Sequence, residues 1–318
     1  MRLVPPISIA RGVNTEPLLI ATFCVLWSLA FGVSKLALAD CPPLLLVTIR
    51  LLVAGVITLG IATMLGAKQR LGWRDGLVLA ALGVVNSAFY LSFSNLGMRL
   101  VPAGLMALIV STNPVLTALL AASFLGERMT VRKITGLMLG VAGVAIVVES
   151  RLAGGTSSAL GIGFAVAALL SMTGGTILFK RFAPGTDLVA GNGVQTLAGG
   201  LALAPLAFTF ESVSDIVPTW RFVGAMAYVI LCGSVAAYLL WFRLVMVYGA
   251  TAASAYHFLM PPLGMLFGWI LLGEHVHAPD LLGVVPVAAG IWLVTRPPQS
   301  RRWTYSASSR TAASSSTT

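Results

Sequence analysis

Apolar residues run in stretches of about twenty along nearly the whole chain, broken by short clusters of charge, proline and glycine. A helix rising 1.5 Å per residue crosses a hydrocarbon layer of about 30 Å in about 20 residues. The pattern predicts ten such spans, at 17–38, 43–66, 76–97, 102–125, 132–149, 159–179, 188–210, 221–242, 250–273 and 279–295. Punctuation is weakest from Arg243 to Gly249, so the edges of the eighth and ninth spans are loosely defined. The expected fold class is an all-α polytopic membrane protein. Residues 1–16 hold Arg2, Arg11 and two prolines and lack an early apolar core. The span from Pro17 is therefore expected as a retained first helix, not a cleaved signal peptide.

Composition agrees with the pattern. Of 318 residues, 58% are apolar and 9% charged, against about a quarter charged in soluble domains. So few charges cannot cover a surface that faces water. The net charge of +10 would suggest a nucleic-acid partner in a soluble protein, but here the loops account for it. With the N-terminus cytoplasmic, the inside segments hold fifteen basic residues: Arg2, Arg11, Lys68, Arg70, Arg74, Arg128, Arg132, Lys133, Lys180, Arg181, Arg243, Arg296, Arg301, Arg302 and Arg310. The outside loops hold three, Arg99, Arg151 and Arg221. This bias places both termini in the cytoplasm of a bacterial inner membrane, and no nucleic acid is needed to explain it. The tail, 296–318, is polar and serine-rich and is expected to be disordered. Cys24, Cys41 and Cys232 are scattered, with no metal-ligand spacing, and read as small buried apolar residues. No metal or cofactor is implied.

The two halves echo each other. Asn113-Pro114, Gly126-Glu127, Gly136 and Gly143 correspond to Met260-Pro261, Gly273-Glu274, Gly283 and Gly290 at one offset of 147 residues. Lys35 and Lys180 correspond at 145, and Tyr90 and Tyr238 at 148. The expected organisation is a first five-helix repeat at 17–149, a periplasmic linker at 150–158 and a second repeat at 159–295. Five helices per repeat make the second half enter the membrane from the opposite side. Such inverted repeats are common in secondary transporters, with the site near the midplane between the halves.

The stretches LWSLAFGVSKLAL (26–38), IRLLVAG (49–55), NPVLTALLAASFLGERMTVRKITGLMLGVAGVAIVV (113–148) and PPLGMLFGWILLGEHVHAPDLLGVVPVAAGIWLV (261–294) carry a more specific likeness. They resemble the two EamA domains of the drug/metabolite transporter superfamily, over roughly 17–295. The resemblance implies a ten-helix fold with a central cavity and export of amino acids or related small metabolites. The alternatives are a drug or other metabolite exporter or importer of the same fold and, from another class, a channel or non-transporting scaffold.

Polar residues at membrane depth are costly and are functional candidates by default. Arg50 stands about 10 Å into the second span. It could meet a substrate carboxylate or clamp helix-end carbonyls, and Gln195 occupies the matching place in the second half. Asn86, Tyr90, Asn95 and Asn113, with Asn192, Gln195, Tyr238, Trp241, Tyr256 and His257, could line a polar cavity with aromatic walls or glue helices together. His257 is either a proton site or a packing residue. Lys35 could snorkel or gate, whereas Lys180 beside Arg181 reads as an anchor. Glu127 and Glu274 are expected to orient hinges, Glu127 near Arg128 and Arg132. Pro114 and Pro261-Pro262 are expected as mid-helix breakers that free carbonyls beside a site.

No acidic residue lies at mid-depth in any predicted span. Organic cations therefore lack a counter-charge, and zwitterionic or neutral metabolites fit better. No GxSxG, HExxH or paired intramembrane carboxylates support an enzyme. The partners implied are a small-molecule substrate and the lipid bilayer, with proton coupling and a homodimer through Gly136, Gly140 and Gly143 left open.

Overall fold

The computed structural model describes residues 16–67, 72–101, 106, 109–152, 158–183, 185–272 and 278–295. Glu274, most of the expected 150–158 linker, nearly all of 1–16 and the tail from 296 lie outside them. Helices α1 (Glu16–Ala37) and α2 (Pro43–Met64) come first. The third rod joins α3 (Trp73–Leu82) through a π-helical segment, π1 (Gly83–Phe89), to α4 (Tyr90–Leu100). Then come α5 (Asn113–Leu125), α6 (Val131–Leu152), α7 (Ala159–Phe182) and α8 (Leu188–Phe210). A second composite rod joins α9 (Trp220–Tyr228), π2 (Val229–Ala236) and α10 (Ala237–Tyr248). Last are α11 (Ala250–Ala255), a 3₁₀ turn at Tyr256–Leu259, α12 (Met260–Leu272) and α13 (Ala278–Thr295).

Among the described residues, six helical stretches are long and apolar enough to cross a membrane: Glu16–Ala37, Pro43–Met64, Trp73–Leu100, Ala159–Phe182, Leu188–Phe210 and Trp220–Tyr248. Shorter apolar helices cover Ile109–Leu125 and Val285–Val294. The eighth predicted span is longer than its pattern indicated. Helix α10 carries Arg243 to Tyr248 and stops at Gly249, whose φ of +84° is open to glycine but strained for other residues.

Local signals set the helix starts. Asp187 Oδ1 accepts from the amides of Val189 and Ala190, at 3.0 and 3.1 Å, and caps α8. Thr219 caps α9 through Phe222 N at 3.0 Å. The start of α2 is capped from the other half, where Glu211 accepts from Leu44 N and Leu45 N at 3.0 and 2.7 Å.

Packing runs largely across the halves and follows the repeat. Helix α2 packs on α8, and α6 on its repeat mate α13. Helix α1 packs on α9, π2, α10 and α12, while its mate α7 packs on α4, π1 and α5. Small residues permit these crossings. A Cβ at Gly290 would stand 2.5 Å from Gly136 O, and one at Gly143 2.6 Å from Gly283 O. A Cβ at Gly55 would stand 2.7 Å from the Leu197 backbone.

Gly60 lies in α2, and a methyl group added there would meet nothing within 4 Å. Gly290→Ala should therefore lower stability by about 1–3 kcal/mol through overpacking, while Gly60→Ala should be neutral or gain up to about 1 kcal/mol from helix propensity. Thermal unfolding in detergent, followed by size-exclusion chromatography, tests the opposite signs.

Candidate functional site

Arg50 lies two turns into α2 and is 3% exposed. Its Nε donates to Ser234 Oγ at 2.7 Å, and Ser234 belongs to π2. The adjacent Gly233 makes room for the guanidinium, because a Cβ there would stand 2.9 Å from Arg50 Nη2. Among the described residues no carboxylate pairs with Arg50.

Beside the guanidinium is a narrow, partly open cavity lined by α1 (Trp27, Ala30, Phe31, Ser34), α4 (Tyr90, Leu91, Ser94, Asn95, Met98), Gly233 and Tyr238. Trp27 forms its aromatic wall, with ring centroids 5.2 Å from Tyr238 and 6.3 Å from Tyr90. Trp27 also packs on His257 at 5.6 Å and Trp241 at 6.1 Å, and these two meet edge-to-face at 4.6 Å. His257 Nδ1 lies 3.1 Å from Ser254 O, and its Nε2 has no partner among the described residues.

The π segments explain how the walls are held. A π turn shifts the backbone hydrogen-bond register, and carbonyls within π1 are taken by the other half. Tyr238 Oη donates to Asn86 O at 3.2 Å and Ser171 Oγ to Val85 O at 2.9 Å. The repeat-related place is built differently. Gln195 replaces Arg50, and Asn86 stands where the other half has Gly233. A Cβ on Gly175 would lie 2.6 Å from the Asn86 side chain, so that space is filled. The cavity therefore belongs to the Arg50 side of the pseudo-symmetric pair.

Of the predicted binding residues, Arg50, Tyr90 and Tyr238 converge on the cavity, and Trp241 and His257 stand behind Trp27. Asn113, Gln195 and Tyr256 are buried outside its lining. Asn113 Oδ1 accepts from Thr117 at 3.1 Å and from Thr173 at 2.8 Å, joining α5 to α7. Trp27, Gly233 and Ser234 are site residues that the hydropathy pattern does not mark. The Gly233-Ser234 pair has a signal in its mates Asn86-Ser87, 147 residues earlier.

The predicted hinge residues are distributed over the two ends of the bundle. Pro114 and Pro261 each follow an irregularity inside a longer helical stretch: a turn at Thr112 within Ile109–Leu125 for Pro114, and the 3₁₀ turn Tyr256–Leu259 between α11 and α12 for Pro261. Helix α5 ends at Gly126 with φ +66°. Next to it, the Glu127 carboxylate accepts from Ala250 N at 2.9 Å and Thr251 N at 3.4 Å, capping α11 of the other half. At the same end Arg181 Nη1 donates to Phe124 O at 2.8 Å and Lys180 Nζ to Val245 O at 3.1 Å. Lys35 is exposed at the opposite end, adjacent to the cavity-lining Ser34. There Asp40 closes a clamp between halves, accepting from Thr219 Oγ1 at 2.8 Å and from Arg221 Nε and Nη2 at 2.9 and 2.6 Å.

The EamA-like transporter family model matches this chain twice, at residues 15–149 and 159–296. The chain belongs to the EamA-like transporter family. It is 32% identical over 279 residues to an uncharacterized transporter of Bacillus subtilis, covering 87% of this chain and 90% of that protein. It is also 25% identical over 280 residues to a probable amino-acid metabolite efflux pump of Escherichia coli, covering 85% and 91%. A solved crystal structure with 18% identity superposes with a TM-score of 0.75 over 89% of this chain and 97% of that chain, a likeness of fold. The EamA repeats coincide with the two halves that meet at the cavity.

The Arg221 and Thr219 hydrogen bonds hold the Asp40 carboxyl below its ordinary value of 3.8, against the opposing effect of burial. A lowered folded-state pKa adds stability that is complete above the unfolded value and lost as pH falls through the folded one. The gap in unfolding temperature between wild type and Asp40→Asn should thus stay constant from pH 8 to 5 and begin to close only below about 3.8. A gap already closing near pH 6 would contradict this assignment.

Proposed function

We propose that this EamA-family protein exports amino acids or related small metabolites across a bacterial inner membrane by alternating access, with ten crossings arranged as two oppositely oriented five-helix halves. The observation that carries the reading is the cavity, where a buried arginine and an aromatic wall are assembled from both halves. Repeat-related packing of α1 and α7, and of α2 with α8, suits two units that rock against each other. Relatives in Escherichia coli and Salmonella typhimurium named probable amino-acid metabolite efflux pumps support the substrate class.

The loop-charge bias puts the Asp40 end outside and the Glu127 end in the cytoplasm. In this arrangement the Asp40–Arg221 clamp ties the halves on the outer side. Glu127 on α11 and Arg181 on the end of α5 tie them on the inner side. Opening toward either side requires releasing one set of ties while the other holds.

Cells overproducing the protein should excrete an amino acid or related metabolite faster than vector controls and tolerate its toxic analogue better. Excretion and vesicle flux both at vector level across a broad metabolite panel would remove the export reading. Arg50→Gln should lower flux at least tenfold while membrane insertion, followed by immunoblot of membrane fractions, is unchanged. Wild-type flux in that variant would take Arg50 out of the site.

A further inference from the structure

Arg50 carries a charge that no acidic side chain balances among the described residues. A guanidinium stays protonated at any physiological pH. This one is 3% exposed, and among the described residues its Nε donates to Ser234 Oγ, a neutral group. Asp40, an acid outside the spans, is already engaged by Arg221. A buried charge with only a neutral partner is strongly disfavoured unless something else supplies the counter-charge.

A second observation comes from Asn95, which lines the same cavity and is 1% exposed. Its Nδ2 donates to Leu91 O at 2.7 Å, which fixes the amide's orientation. Oδ1 is left as a buried acceptor without a partner among the described residues. Other buried polar atoms here also lack partners, among them Asn192 Nδ2 and Gln195 Nε2, but Asn95 Oδ1 belongs to the cavity wall, where a donor on an occupant can reach it. Trp27, Tyr90 and Tyr238 complete the enclosure with flat apolar surface.

We infer that the cavity takes a net monoanion: a monocarboxylate with an uncharged hydrogen-bond donor and a flat apolar body. The carboxylate pairs with the Arg50 guanidinium, the hydroxyl or amide N–H meets Asn95 Oδ1, and the body lies against Trp27. This rests on reading the cavity as the transport site and narrows what it carries. The missing mid-span acid already disfavours cations. The unbalanced arginine goes further, because a zwitterion would leave the occupied cavity with one net positive charge and a monoanion leaves it neutral. In a low-dielectric interior the neutral complex wins.

The test uses the purified full-length protein in nanodiscs and a matched series: 3-phenyllactate, 3-phenylpropanoate, phenylalanine and phenylalaninamide, with sodium acetate and sodium chloride as controls for a small anion. Binding is read by tryptophan fluorescence and calorimetry. 3-Phenyllactate should bind at least tenfold tighter than phenylalanine, with phenylalaninamide, acetate and chloride silent at the same concentrations. Arg50→Gln should weaken both acids at least tenfold. Asn95→Leu should bring the ratio of phenyllactate to phenylpropanoate affinity to about one, whereas general misfolding weakens both ligands alike and keeps the ratio. Phenylalanine binding as tightly as phenyllactate overturns the monoanion assignment and leaves the amino-acid export reading standing. Equal effects of acetate or chloride overturn it by removing the apolar body from recognition. Silence of the whole series overturns it too, and if overproducing cells also excrete nothing above vector, the export reading falls with it.

Discussion

Hydrocarbon offers no hydrogen bonds, so every polar group carried into the membrane must find its partner inside the bundle or on a ligand. That constraint organises this molecule. Carbonyls of π1 are taken by Tyr238 and Ser171 of the opposite half. The start of α2 is capped by Glu211 and the start of α11 by Glu127, again across the halves. The two repeats therefore depend on each other for polar satisfaction as well as for apolar burial. That provision is incomplete at several buried polar atoms, and Arg50 is the buried charge whose partner among the described residues is neutral, which makes its surroundings the place to look for an occupant.

Close approach is the second condition. Gly136 with Gly290, and Gly143 with Gly283, bring α6 and α13 into backbone contact. Gly55 does the same for α2 against α8. These crossings keep the repeat-related pairs together, and the side chains between them then decide what differs. On one side Gly233 opens space for a guanidinium, and on the other Asn86 fills it. A duplicated framework thus supports a charged cavity at one of the two repeat-related places. The neutral mate, Gln195, needs no counter-ion and can be packed shut.

The ties at the two ends differ in chemistry. At the Asp40 end the tie is an ion pair between Asp40 and Arg221, with Arg221 half exposed to solvent. At the Glu127 end the ties use a carboxylate on helix amides and basic side chains on helix carbonyls. Both kinds are directional and break with modest displacement, while the apolar contacts along the rods tolerate sliding. Such an arrangement suits units that change their mutual tilt without separating.

Much of this is legible in the chain itself. Period and length of the apolar runs mark the rods, because a lipid solvent demands continuous apolar helix, and a shared offset of 147 residues marks the repeat. Arg50 stands out because an intramembrane guanidinium is rarely tolerated without purpose, and Tyr90 and Tyr238 stand out as repeat mates. Other features depend on tertiary contact. Pattern does not show that Arg243 stays on α10, nor where the irregularity beside each proline falls, at Thr112 before Pro114 and at Tyr256–Leu259 before Pro261. Nor does it separate Tyr238, in the cavity, from Asn113, which joins α5 to α7, because an isolated polar residue looks the same in either role. Trp27 is indistinguishable from any apolar wall residue until the second half brings Tyr238 and Trp241 against it. Solvent, rods and repeat follow from local periodicity, so they can be read along one chain. Which buried groups face one another is set by contacts between residues far apart in that chain, and only the folded bundle brings those together.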